Sequence, residues 1–139
     1  MGAVKKNLIV WGNHGTTPID DVLFDSGATH TVIREDVAKD ICTIARYPPE
    51  ELPDNEIMLG DGVSTLQAVG TCDIHTKIED LPVEEVAKVV ELKSPDQPVL
   101  IIGQNTMQRF AMQIHHNTPK RGGDKLVVPK PEKVRLWLV

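Results

Sequence analysis

The chain has 139 residues, 40% hydrophobic, 25% charged and 4% aromatic, with a formal net charge of −5. A single domain of this size buries roughly two-thirds of its unfolded surface, so a core forms without metal or disulfide support. The length excludes an enzyme that needs two duplicated lobes in one chain, and the five aromatic residues leave Val, Ile and Leu to build the interior.

In chain order, Asn7-Leu8-Ile9-Val10-Trp11 is an apolar strand ended by the turn residues Gly12-Asn13-His14-Gly15. Val22-Leu23-Phe24 is a second short apolar run leading into Asp25-Ser26-Gly27-Ala28, and Thr31-Val32-Ile33 is a β-branched strand fragment. Val37, Ala38, Ile41, Ile44 and Ala45 recur at helical spacing, which predicts a short amphipathic helix over residues 35–46, stopped by Tyr47-Pro48-Pro49. Asp61-Gly62 between Glu56-Ile57-Met58-Leu59 and Val63-Ser64-Thr65-Leu66 predicts a hairpin with a tight type I′ turn. Leu66, Ala68, Gly70, Cys72, Ile74 and Ile78 then fall on even positions and Gln67, Asp73, His75 and Lys77 on odd ones, so this is a half-buried strand, bent at Gly70.

Residues 83–92 fit either a helix face or a strand. Val99-Leu100-Ile101-Ile102-Gly103 reads as a buried strand, and Met107, Phe110, Ala111 and Ile114 predict one face of a second short helix. Arg121-Gly122-Gly123-Asp124 is a turn before Leu126-Val127-Val128, and Val134–Val139 is a last strand candidate. The chain is predominantly β with two short helices.

Charge is uneven. Residues 117–139 carry six basic and two acidic side chains, and the remaining 116 residues carry 9 basic and 18 acidic ones. An acidic body is not a nucleic-acid surface. No apolar run reaches the roughly 18 residues of a membrane span, and the opening Met1–Lys6 lacks the apolar stretch of a secretion signal. Cys42 and Cys72 have no metal-type spacing and read as buried reduced thiols. The expectation is a soluble intracellular protein without nucleic-acid or membrane partners.

The chemistry centres on Asp25-Ser26-Gly27-Ala28, where a carboxylate leaves a buried strand into a small, turn-permissive run. Taken alone, this is either a turn in which Asp25 caps the next segment or an acid with a task, since a charge at such a strand exit is expensive unless it is paired or used. The wider stretch Val22-Leu23-Phe24-Asp25-Ser26-Gly27-Ala28-Thr29-His30-Thr31-Val32-Ile33 resembles the active-site strand and loop of retropepsin-like aspartic proteases, the single-domain family of retroviruses, retrotransposons and some cellular proteins. Leu100-Ile101-Ile102-Gly103-Gln104-Asn105 resembles that family's second hallmark, an apolar-apolar-Gly run before a short helix, and the Asp61-Gly62 hairpin lies where the family has its flap. Together these features span residues 7–116.

The resemblance implies a closed β-barrel with one or two short helices, pairing as a C2 homodimer with one catalytic aspartate, Asp25, from each subunit. It makes residues 1–128 the protease domain and residues 129–139 a basic and apolar extension that supplies a dimer-interface strand. Ser26, Gly27 and Ala28 would support the active loop. The implied substrate-binding set is Gly27, Thr29, Val32, Leu59, Gly60, Asp61, Gly62, Val63 and Ile102. Val32, Ile33 and Ile102 read either as subsite walls or as core. The partner would be an extended polypeptide substrate, with no cofactor and no metal, in the cytoplasm or associated with a virus or retroelement. A catalytically silent dimerisation or peptide-binding module is the alternative.

Many viral members have an acidic residue after D-[ST]-G-A and an arginine after the apolar-apolar-Gly run; this chain has the neutral pair Thr29 and Gln104. Other constellations carry less. Gly60-Asp61-Gly62 lacks the Lys-Ser/Thr of a phosphate loop, and adjacent His115-His116 is poor spacing for one metal ion. Asp25, Ser26 and His30 are too near in sequence to form a triad.

Overall fold

A computed structural model describes residues 3–59 and 62–130. Strand β1 (Ala3–Trp11) runs antiparallel to β2 (Thr16–Asp25), with a bulge between Lys6 and Leu8. The Asn7 side chain fixes that bulge by accepting the Asp21 N–H at 3.0 Å, and Asp21 takes a positive φ of 54° there. Next come β3 (Val32–Arg34), helix α1 (Glu35–Ile41), the short β4 (Ala45–Arg46), a 3-10 turn over Pro49–Asn55, and β5 (Glu56–Met58). The long β6 (Thr65–Ile78) and β7 (Leu81–Val90) form a hairpin, followed by β8 (Leu100–Ile102), helix α2 (Gln104–Arg109), and the small pair β9 (Gln113–His115) and β10 (Lys125–Val127).

The strand order β1-β2-β8-β3-β7-β6 closes on itself because β6 also pairs with β1, through Val10↔Thr76 and Trp11↔His75. This is a six-stranded barrel, and closure removes its exposed edges. β2 with β8 and β3 with β7 are parallel pairs; β3 with β8 is antiparallel. One end of β6 belongs to the barrel and the other pairs with β5 as a projecting hairpin. The register shift between Ala68 and Gly70 bends it between those two duties.

Alternation along the barrel strands creates two apolar clusters. Phe24, Ile33, Val89 and Ile102 point into the barrel with Val10, Val22, Ile74 and Leu100, all essentially fully buried. Their neighbours Leu23, Val32, Val90 and Ile101 face the other way and pack with Leu66, Ala68, Ile57 and Leu59 beneath the hairpin. The ambiguous segment at 83–92 resolves as strand, since Val83, Ala87 and Val89 share the barrel face while Glu84 and Val86 are exposed.

Both helices are shorter than their apolar periodicity predicts. α1 ends at Ile41 because the following residues are captured by other elements. The His14 N–H takes the Ile41 carbonyl at 2.9 Å, Asn13 binds both the N–H and the hydroxyl of Thr43 at 2.8 Å, and Ala45 and Arg46 pair with Thr71 and Gly70. A Cβ on Gly70 would stand 2.3 Å from the Ala45 carbonyl oxygen, so only glycine admits this pairing. α2 ends at Arg109, and Ala111, with φ 54°, reverses the chain so that Ile114 joins β9 rather than a helix face. The Leu59 N–H donates to the Ser64 carbonyl at 2.8 Å across the hairpin below its tip. Gly60, Asp61 and the strand expected at 134–139 lie outside the described residues.

Candidate active site

Period-two geometry places Asp25. On β2, Val22 and Phe24 point into the barrel, so Leu23 and then Asp25 present to the opposite face. There the chain turns sharply: the Ala28 N–H donates to the Asp25 carbonyl at 3.1 Å, and the Gly27 N–H donates to the Asp25 carboxylate at 2.8 Å. The carboxylate is therefore oriented by its own loop.

The second hallmark run supports that loop from behind. Gly103 lies so close that a Cβ would stand 2.4 Å from the His30 carbonyl oxygen and 3.0 Å from that of Ala28. The N–H groups of Gln104 and Asn105 donate to the carbonyls of Ala28 and Thr29 at 2.7 and 3.2 Å. The Asn105 side chain accepts the Thr31 N–H at 3.0 Å, and the Thr31 hydroxyl accepts the Gly103 N–H at the same length. Residues 25–31 and 103–105 thus form one hydrogen-bonded block, although about 75 residues separate Thr31 from Asn105 and Thr106.

A groove of about 270 Å³ opens in front of this block, lined by Asp25, Ala28, Thr29, His30, Val32, Lys88 and Ile101 on the barrel side and by Glu56–Leu59 on the hairpin side. Leu59 and Ile101 also border a second depression of about 420 Å³ with Leu66, Lys93 and Gln97. Burial first, and the nearby Lys88 charge second, hold the His30 imidazole below its ordinary value, so it is neutral at neutral pH.

The barrel that carries this groove has a counterpart among solved structures. Among solved structures, the chain is similar to EIAV protease complexed with the inhibitor HBY-793, with a TM-score of 0.51 and 18% identity, over 78% of this chain and 89% of that one. The chain has the retropepsin fold. No family model and no curated protein sequence matches it.

Within the retropepsin fold, Asp25, Ala28, Thr29, Val32 and Leu59 come together along the groove. Ser26 and Gly27 form the loop beside it, and Val63, near the hairpin tip, is 85% exposed. Gly62 is exposed with a positive φ of 74°. Ile102 does not reach the groove. It is 1% exposed in the barrel core, as is Ile33 at 0%, because strand alternation turns their neighbours Ile101 and Val32 outward instead.

Sequence reasoning missed the polar cluster behind the loop. Thr31 and Thr106, both fully buried, are hydrogen-bonded through their hydroxyls, and the Thr106 hydroxyl donates to the Glu85 carboxylate at 3.0 Å. Arg109 Nη1 reaches the other Glu85 oxygen at 3.5 Å. The signal was an acid on the inward face of β7, between Val83 and Ala87, where a charge survives only with partners. It missed Lys88 in the groove as well.

Proposed function

We propose that the protein is an aspartic endopeptidase that acts as a homodimer, with one Asp25 from each chain activating a shared water. The observation that carries this reading is the Asp25 carboxylate, oriented by the Gly27 N–H at the end of an open groove on a retropepsin fold. A two-fold axis through the Asp25 loop sets each residue against its own copy, which is how one acid per chain becomes a pair.

The chemistry then follows from electrostatics. Two adjacent carboxylates cannot both ionise cheaply, so the pair holds one proton and titrates as a unit. The ionised Asp25 accepts a proton from the water as it attacks the peptide carbonyl. Its protonated copy polarises that carbonyl and then supplies a proton to the departing amine. The β5–β6 hairpin covers the groove, excludes water and offers its backbone to an extended substrate.

The test is peptide cleavage by the dimer at acidic to neutral pH. Asp25→Asn and a statine-type inhibitor should each abolish it. An intact dimer that cuts no peptide library anywhere between about pH 4 and 7 would leave the protein as a binding module.

A further inference from the structure

The groove carries a cation. Lys88 lines it from β7, and among the described residues none of the ion pairs includes Lys88. Its backbone is fixed relative to the active loop, because the Lys88 N–H donates to the Thr31 carbonyl at 3.0 Å. The side chain is partly buried and shares its strand face with Val90, which is 1% exposed beneath the hairpin. Lysine on such a face usually extends its ammonium into bulk water. Here the groove wall opposite is the hairpin, and Lys88 is close enough to His30 for its charge to depress the imidazole.

We propose that this groove selects peptides bearing a carboxylate side chain, with Lys88 as the specificity-determining residue and His30 as a hydrogen-bonding neighbour. The inference rests on reading the groove as a peptide site, and it adds the class of peptide.

Three features support it. Ala28, Val32 and Ile101 supply an apolar wall for the methylene stem of a Glu or Asp, leaving only the head to meet Lys88. Among the described residues, the acid already in the groove, Asp25, forms no salt bridge with Lys88. Glu56, the other acid on the wall, is exposed on the hairpin and forms no ion pair with Lys88. Among the described residues Lys88 has no ionic partner, and a substrate carboxylate would supply one. In a C2 dimer the groove occurs twice, so the preference appears on both sides of the cut bond.

The experiment uses the full-length chain and a peptide library in which each position is Glu, Gln or Lys in turn. Wild type should favour Glu over Gln by about tenfold at one position on each side of the cut, the size of a partly desolvated ion pair. Lys88→Met should collapse that ratio whatever its overall rate, Lys88→Arg should restore it, and Lys88→Glu should favour the Lys peptide. Equal cutting of Glu and Gln peptides by wild type, or an unchanged ratio in Lys88→Met, overturns the proposal. If no peptide is cut, the protease reading fails separately, and fluorescence anisotropy of the same peptides reads selection directly. Binding of Glu over Gln peptides that vanishes in Lys88→Met sustains it, and equal binding overturns it.

Discussion

Asn105 accepts the Thr31 backbone N–H at 3.0 Å, a bond that joins the start of α2 to the loop carrying the candidate catalytic acid. Thr31 is fully buried, so its N–H has no recourse to water when that acceptor is removed. Asn105→Ala should therefore destabilise the fold by about 2 kcal/mol. Glu85→Gln, which keeps an acceptor for Thr106, should lose less than Glu85→Ala. Urea unfolding of the three variants checks the order.

Gly103 should be intolerant of any side chain. An added Cβ would meet the His30 and Ala28 carbonyl oxygens at 2.4 and 3.0 Å, both rigid backbone atoms. Gly103→Ala should push the loop away and reduce cleavage far more than it reduces the melting temperature. Parallel activity and thermal scans measure the two effects.

The pH dependence of folding has two parts with one sign. His30 titrates below its ordinary 6.5 in the folded chain, so the unfolded chain binds the proton first and stability declines as pH falls below 6.5. Asp36 is held below the usual 3.8 by its hydrogen bonds from Arg34, at 2.7 and 2.9 Å, and adds stability that is lost only as pH falls below 3.8. His30→Gln should flatten the first slope and leave the second. Denaturant midpoints measured from about pH 7 to 3 separate them.

The cysteines should be unreactive in the folded state. Cys42 and Cys72 are 3% and 4% exposed, the Cys42 thiol donates to the Asp73 carbonyl at 3.2 Å, and burial raises both thiols. A thiol reagent at pH 8 should label neither until denaturant is added. Prompt native-state labelling would show that this side of the core opens.

Strand placement was legible in the sequence because it depends on period two, which a half-buried sheet enforces residue by residue. The even positions of β6 are an example: Leu66, Ala68, Cys72, Ile74 and Ile78 are all buried. Helix length was not legible. Ile44 and Ile114 keep apolar spacing beyond the true helix ends because both pack on the core from non-helical backbone. The loop at Asp25 stood out through its motif, whereas the Thr31–Thr106–Glu85 cluster depends on contacts across 21 to 75 residues that no local pattern encodes. Choosing between Ile101 and Ile102 required the register of β8 against β2, where Leu23 meets Ile101 and Phe24 meets Ile102. A three-residue apolar run does not declare which side faces in.

The central claim is that two chains share one active site through paired Asp25 residues. The most direct measurement mixes wild type with an equal amount of Asp25→Asn chain, unfolds and refolds them together, and compares cleavage with the same total amount of wild type. If both carboxylates are required, only the wild-type homodimers act and activity falls to about a quarter. A fall to about one half would mean that each chain works on its own, and would contradict the account.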